Sequence, residues 1–293
     1  MLIYLICLSR LGRTMIHLHG GAGMREIMAN SHPLWQRLNR HFLRRIGSVV
    51  VLGPRHAPIF ASAVPAERIH VVPNFAEDAL FVDDAAIDRK FASTEPVRLL
   101  FVSNLLPGKG HAELVAALEL LDDAQRARLR VDVAGGFESP QQRTAFLASI
   151  RHLPNVTYHG TVRGEAKRRL FADAHLFCLP TYYPYEGQPI SILEAYASGC
   201  AVITTDHSGI LDVFTDAVNG YCVEKRSAVS LTAAIRRVLD DPASAARMAK
   251  ANLRAARERY RTFNYTTTLM RLLDELLCPG ATRLERAREA ATE

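Results

Sequence analysis

The chain has 293 residues, 48% of them hydrophobic, and a formal net charge of +6, which suffices for the core of one large or two modest domains. No run approaches the ~18 apolar residues of a membrane-spanning helix, and the apolar residues 1–8 lack a basic leader and a cleavage site. The five cysteines are widely spaced, with no CxxC pair, so we expect no disulfide framework, no zinc site and a reducing, cytoplasmic location.

The first 80 residues contain short apolar stretches with β-strand character, separated by helical patterns. Predicted strands cover residues 15–19, 48–52 and 69–72, and a helical pattern surrounds residues 58–63. Residues 34–46 form a predicted basic amphipathic helix, in which arginines and a histidine interleave with Trp35, Leu38, Phe42 and Ile46. This helix either packs on the domain core or lies on anionic lipid. Residues 74–90 form an acidic connector.

From residue 97 onward, short apolar runs alternate with helical patterns, which is typical of a doubly wound α/β domain with a parallel sheet. Predicted strands cover residues 98–103, 129–134, 156–159, 175–179 and 201–205. Helices are predicted after the first strand, over residues 164–174 and over residues 189–198. Gly199 stands where a glycine terminates a helix.

The strongest local signal is residues 185–205, YEGQPISILEAYASGCAVITT. Glu186 lies in a loop after an apolar strand, and Glu194 follows on the helix that Pro189 is expected to open. The helix N-terminus offers backbone N–H groups to an anion, while carboxylates accept hydrogen bonds from hydroxyls. A ligand with both a diphosphate and sugar hydroxyls, such as a nucleotide sugar, satisfies all of these groups together.

This E-x7-E spacing, followed by a small-residue helix end and a strand, resembles the signature of the family 4 glycosyltransferases. The resemblance implies a GT-B fold, a retaining mechanism and no required metal, and no Asp-x-Asp metal motif is visible. It assigns Glu186 to the donor hexose and Glu194 to the ribose. It also implies that the backbone of Gly187, Gln188, Pro189 and Ile190 approaches the sugar and phosphates.

Other segments agree with this resemblance. In SNLLPGKG, residues 103–110, Lys109 matches the lysine that grips the diphosphate, whereas Asn104 stands where the family has an arginine. Gly135 lies in a glycine turn over the nucleotide, and Val162 lies near the predicted base site. In IHLHGGAG, residues 16–23, His19 matches a histidine near the transferred sugar, with His17 on the opposite face of the strand.

The predicted architecture is α/β and GT-B-like, with two Rossmann-type lobes with parallel sheets and an incomplete N-terminal lobe. We expect a partial acceptor-side lobe over 1–90, a nucleotide-sugar domain over 91–255, a helix packing back over 256–278 and a tail over 279–293. Compared with usual lobe sizes, we expect the first lobe to lack about a hundred residues, either because the true start lies upstream, because the lobe is a remnant or because another chain completes it. Its sheet would then have an exposed edge.

These features together predict a glycosyltransferase that moves a hexose from a nucleotide-diphospho-sugar to a saccharide or lipid-linked acceptor. Glu186, His19 and Lys109 are the predicted catalytic residues. The expected setting is surface polysaccharide or glycolipid synthesis at the cytoplasmic face of a membrane, without nucleic acid. A sugar-nucleotide epimerase and a non-catalytic nucleotide-sugar-binding subunit remain open. A nicotinamide dehydrogenase is the least favoured alternative, because no G-x-G-x-x-G follows a strand in this sequence.

Overall fold

The computed structural model describes residues 8–21, 26 and 28–278, so Gly23 and the predicted tail lie outside the described residues. The strands in chain order are β1 (Met15–Leu18), β2 (Ser48–Val51), β3 (Ile69–Val71), β4 (Val97–Val102), β5 (Leu129–Ala134), β6 (Val156–Tyr158), β7 (Leu176–Leu179), β8 (Ala201–Thr205) and β9 (Gly220–Val223). The α-helices are α1 (Pro33–Leu43), α2 (Asp84–Phe91), α3 (His111–Glu119), α4 (Asp123–Ala127), α5 (Pro140–Ser149), α6 (Gly164–Asp173), α7 (Ile190–Ala197), α8 (Ala228–Asp240), α9 (Pro242–Arg259) and α10 (Thr262–Leu277).

The chain divides into two compact units. The smaller unit contains the residues up to Asn74, the short segment Tyr185–Gln188 and the residues from Thr262 onward. The larger unit contains Phe75–Pro184 and Pro189–Arg261. It therefore begins earlier than the boundary after residue 90 that the sequence predicts.

The smaller unit is built on a three-stranded parallel sheet with the order β1-β2-β3. Alternate residues of a strand point to opposite faces, so β2, buried throughout, contributes to a core on each face. Val49 and Val51 pack with α1 residues such as Phe42. Val50 packs with Leu272 of α10.

The larger unit is a six-stranded parallel sheet with the order β6-β5-β4-β7-β8-β9. The chain runs outward from β4 through β5 to β6, returns to β7 beside β4 and runs outward again through β8 to β9. This is the Rossmann order, with its topological switch point between β4 and β7. One large core covers the sheet, including the fully buried Phe101, Phe177 and Tyr196. The α/β class with parallel sheets is thereby confirmed.

Several predicted elements differ from the structure. The acidic connector contains α2, which packs on α9 because Ile87 is buried against Ala249 and Leu253. Pro189 is the residue before α7, in an extended conformation, rather than its first helical residue. The pattern over residues 58–63 corresponds to a 3-10 helix, Pro54–Ile59. Within the described residues, no helix is both long and apolar enough to span a bilayer.

Candidate functional site

Two loops meet at the switch point of the larger sheet, where parallel α/β folds bind ligands. The loop after β4 carries Gly108, whose carbonyl oxygen accepts hydrogen bonds from the Tyr182 amide at 2.7 Å and the Thr181 hydroxyl at 3.2 Å. A Cβ on Gly110 would lie 2.6 Å from the carbonyl oxygen of Pro180, and Gly110 has φ +91°. Glycine at this position therefore permits close approach of the two backbones.

Lys109 lies in this contact between the loops. Its Nζ is 4.7 Å from the ring centroid of Tyr183, a cation–π distance that holds the ammonium beside the β7 loop. Asn104, where the family resemblance expects an arginine, is exposed. The structure thus places a cation at the carboxyl ends of β4 and β7.

The loops after β5 and β6 continue this edge of the sheet. The Leu105 amide donates a hydrogen bond to the Gly136 carbonyl oxygen at 2.8 Å, and the Gly135 amide donates one to the Gly160 carbonyl oxygen at 2.8 Å. A Cβ on Gly135 would overlap with the carbonyl oxygen of Ser103. Val162 follows this run, half-buried, just before α6. The predicted diphosphate and nucleoside segments therefore form one continuous edge.

Glu194, the second glutamate of the motif, is the fifth residue of α7 and is buried. Lys167 on α6 donates to Oε1 of Glu194 at 2.6 Å and to Oε1 of Glu77 at 2.8 Å. Burial raises the pKa of the Glu194 carboxyl, and the neighbouring Lys167 ammonium opposes this shift. Burial alone would lower the pKa of Lys167, but its bonds to the two carboxylates raise it.

Lys167 was not predicted from the sequence. It opens the run KRR on a helix with many charged residues, a pattern typical of a solvated face. Nothing in the sequence links it to Glu194, which is 27 residues further along. Its role becomes visible only when α6 and α7 are placed side by side.

Glu186 and Gly187 belong to the smaller unit. Glu186 is buried. A Cβ on Gly187 would overlap with the carbonyl oxygen of His19 and would lie 3.2 Å from a methyl carbon of Leu52. The motif segment that contains Glu186 therefore packs directly against the end of β1, where His19 lies.

Gln188 holds this segment in place. Its Oε1 accepts from the Asn74 amide at 2.7 Å, and its Nε2 donates to the Leu52 carbonyl at 3.0 Å. The Asn74 side chain donates to the Gln188 carbonyl at 2.8 Å. Both side chains are buried. The amide of Gln188 is thus used internally, which limits its predicted part in donor binding to the backbone.

His17 and His19 lie together, contrary to the prediction that they occupy opposite faces. Their ring centroids are 4.0 Å apart. Residues i and i+2 of an extended segment point to the same face, and His19 directly follows β1, which ends at Leu18, so the expectation of opposite faces was wrong. Burial, followed by the proximity of His19, lowers the pKa of His17 to about 4. His17 Nε2 is buried without a hydrogen-bond partner among the described residues.

The basic helix predicted over residues 34–46 corresponds to α1 of the smaller unit. Its inner residues Phe42 and Leu43 are buried, whereas Leu34 is 65% exposed and Trp35 is 44% exposed. Packing on the core and exposure of apolar side chains thus occur on the same helix.

Comparisons with known proteins give matches to glycosyltransferases. The family model "Glycosyl transferases group 1" matches residues 83–254. The amylovoran biosynthesis glycosyltransferase AmsK of Erwinia amylovora is 26% identical over 184 residues, which span 61% of this chain and 44% of AmsK. A GDP-mannose-dependent alpha-(1-6)-phosphatidylinositol monomannoside mannosyltransferase of Mycolicibacterium smegmatis is 28% identical over 248 residues, which span 78% of this chain and 64% of that enzyme.

A solved structure shares the fold. Anabaena Alr3699/HepE in complex with UDP superposes with a TM-score of 0.73 at 18% identity, covering 89% of this chain and 72% of that one. The similarity supports the GT-B-like α/β fold. This chain spans less than two thirds of the length of either sequence relative.

Proposed function

The chain belongs to the glycosyl transferases group 1, and from this premise we propose that it transfers a hexose-type sugar from a nucleotide-diphospho-sugar, with retention of anomeric configuration. The observation that carries the proposal is the contact between the β4 and β7 loops around Lys109. A cation at this edge is suited to a diphosphate, and glycines there allow close backbone approach.

In this proposal the larger unit holds the nucleotide part of the donor. Lys109 binds the diphosphate, Glu194 accepts hydrogen bonds from the ribose, and the loops that carry Gly135 and Val162 hold the nucleoside. The N-terminus of α7, with Ile190 46% exposed, offers further backbone N–H groups. Asn104 adds an uncharged donor where the family resemblance expects a charged one.

We further propose that Glu186 contacts the hexose and that His19 lies near the transferred sugar. During transfer, the bond from the anomeric carbon to the diphosphate oxygen breaks, and the acceptor hydroxyl oxygen bonds to that carbon. The hydroxyl proton leaves with the nucleoside diphosphate. Lys109 stabilises the negative charge that builds on the leaving group, so we propose a reaction without a metal, which would proceed unchanged in EDTA.

We propose a saccharide or lipid-linked acceptor in polysaccharide or glycolipid synthesis at the cytoplasmic membrane face. One relative is named for amylovoran biosynthesis, and the other for a phosphatidylinositol monomannoside. The exposed Leu34 and Trp35 beside the arginines of α1 suit peripheral contact with anionic lipid.

Donor binding is tested by calorimetry with UDP, GDP, ADP and CDP and their sugar conjugates. We expect the protein to prefer one base. Lys109→Met should weaken binding of the corresponding nucleoside diphosphate by at least about tenfold, because one charged hydrogen bond is lost. Lys250→Met, which removes a half-exposed surface lysine paired with Asp88, is the control. Equal affinities for the Lys109 variant and the wild type would remove Lys109 from the site.

Transfer is tested with Glu186→Gln and the preferred donor. We expect kcat/KM to fall by about 10²- to 10³-fold, the range seen when one preorganised polar group is lost, with nucleoside diphosphate affinity unchanged. Full activity with normal donor affinity would contradict the role of Glu186. Conversion of the donor to an epimer without acceptor would instead identify an epimerase.

A further inference from the structure

The buried ion pair between Lys167 and Glu194 has a geometry that bears on ribose recognition. Lys167 Nζ lies 2.6 Å from Oε1 of Glu194, and the two side chains are 15% and 5% exposed. A carboxylate at this depth is stable only with a partner, because removing a charge from water is costly. Lys167 is that partner: its Nζ donates a hydrogen bond to Glu194 at 2.6 Å and a second one to Glu77 at 2.8 Å.

The second contact of Lys167, with Glu77, orients its ammonium group. A lysine ammonium on a flexible stem has three N–H donors and no preferred plane. The half-exposed Glu77 takes one of these donors, so the ammonium is held between two carboxylates. Lys167 in turn holds Glu194 through Oε1, because that is the oxygen to which it donates.

We propose that Lys167 is a positioning residue for ribose recognition: it fixes the Glu194 carboxylate so that this group can accept hydrogen bonds from the ribose hydroxyls. This inference rests on the proposed function, in which Glu194 faces the ribose. A site that pairs a substrate hydroxyl with a buried acceptor discriminates strongly against an analogue without that hydroxyl. Lys167 should therefore control the preference for a ribose over a dideoxyribose.

The test compares affinities for the preferred nucleoside diphosphate among UDP, GDP, ADP and CDP and for its 2′,3′-dideoxy counterpart. We expect the wild type to bind the ribose form at least about tenfold more tightly, as for a hydrogen bond to a charged group. Lys167→Met should reduce this ratio below about twofold, with the dideoxy affinity unchanged. That unchanged affinity also shows that the variant is folded.

Arg168→Met is the matched control, because Arg168 is the next residue on α6 and pairs with Glu165 at the surface. It should keep the wild-type ratio. A wild-type ratio in Lys167→Met would overturn the inference. If the wild type binds none of the diphosphates, the proposed function itself fails, and the inference fails with it.

A second comparison applies even if Lys167→Met does not fold. Glu194→Gln and the double variant Lys167→Met/Glu194→Gln both remove the buried carboxylate. If Lys167 acts through Glu194, the two variants bind the ribose nucleotide with equal affinity. Weaker binding by the double variant would show that Lys167 contacts the nucleotide itself and would overturn its role as a positioning residue.

Discussion

Gly187 shows how a single missing side chain shapes the site. The backbone of the motif segment reaches the carbonyl oxygen of His19 only because residue 187 has no Cβ. The same constraint places Glu186, the preceding residue, at the end of β1. A substitution here therefore acts on the position of the segment as well as on stability.

Gly187→Ala should lower the free energy of unfolding by about 1–3 kcal/mol, because the added methyl group overpacks a close backbone contact. Urea denaturation measures the change. Gly12→Ala is the control, since a Cβ on Gly12 meets nothing within 4 Å. Equal losses in the two variants would mean that the His19 contact is not limiting.

His17 predicts a pH dependence of stability. Its pKa falls from 6.5 to about 4 on folding, first because of burial and then because of His19. The unfolded chain then binds a proton that the folded chain does not, so stability should fall as pH drops from about 6.5 to 4. We expect the free energy of unfolding to fall by about 1–2 kcal/mol, a value reduced for solvent screening because the ring is only partly buried.

Urea denaturation at pH 7 and pH 5 checks this prediction. His17→Asn should lose less stability between these two values than the wild type, because it has no group to protonate at this position. His152→Asn, which changes an exposed histidine paired with Glu119, should behave as the wild type does. If the His17 variant has the wild-type pH dependence, the buried ring contributes nothing to it.

At the scale of elements, Gln188 connects the motif segment with the chain that follows β3. Its side chain pairs with the Asn74 amide and the Leu52 carbonyl. Gln188→Leu would leave both backbone groups buried without partners. The free energy of unfolding should therefore fall by about 2–4 kcal/mol. The control Gln141→Leu changes an exposed residue of α5 and should alter this free energy by less than about 0.5 kcal/mol.

The same contacts lead to a functional expectation for Gln188→Leu. Because Glu186 is two residues away, loss of these bonds should lower kcat more than it weakens nucleoside diphosphate binding. Steady-state kinetics combined with calorimetry separates the two effects. A variant that is destabilised but keeps the wild-type kcat would limit Gln188 to a folding role.

At the scale of the whole molecule, the net charge is +6, and α1 carries arginines but no acidic residue. The double variant Leu34→Glu/Trp35→Glu should reduce sedimentation with vesicles of phosphatidylglycerol and phosphatidylcholine, because it removes apolar insertion and adds repulsion. Wild-type binding should weaken with added salt. Val229→Glu, exposed on α8, is the control, and equal binding of both variants would exclude α1 as the contact.

Much of the larger unit could be predicted from the sequence. Each of its first five strands is a short apolar run bounded by turn residues, and residues 129–134 and 201–205 were placed at the observed bounds. The strand β9 was not predicted, since GYCV is short and begins with a glycine. The helix α2 was not predicted within the acidic connector before β4. Its buried residue Ile87 packs on α9, which lies far along the chain, so the sequence near Ile87 does not indicate this partner.

The sequence by itself determined the alternation of strands and helices, the E-x7-E motif and the glycine loop with Lys109, since each depends on residues close together along the chain. Only the tertiary structure decided that Lys167 holds Glu194 and that Gln188 binds Asn74 and Leu52. These contacts join segments on different elements, where neither periodicity nor spacing specifies which side chains meet.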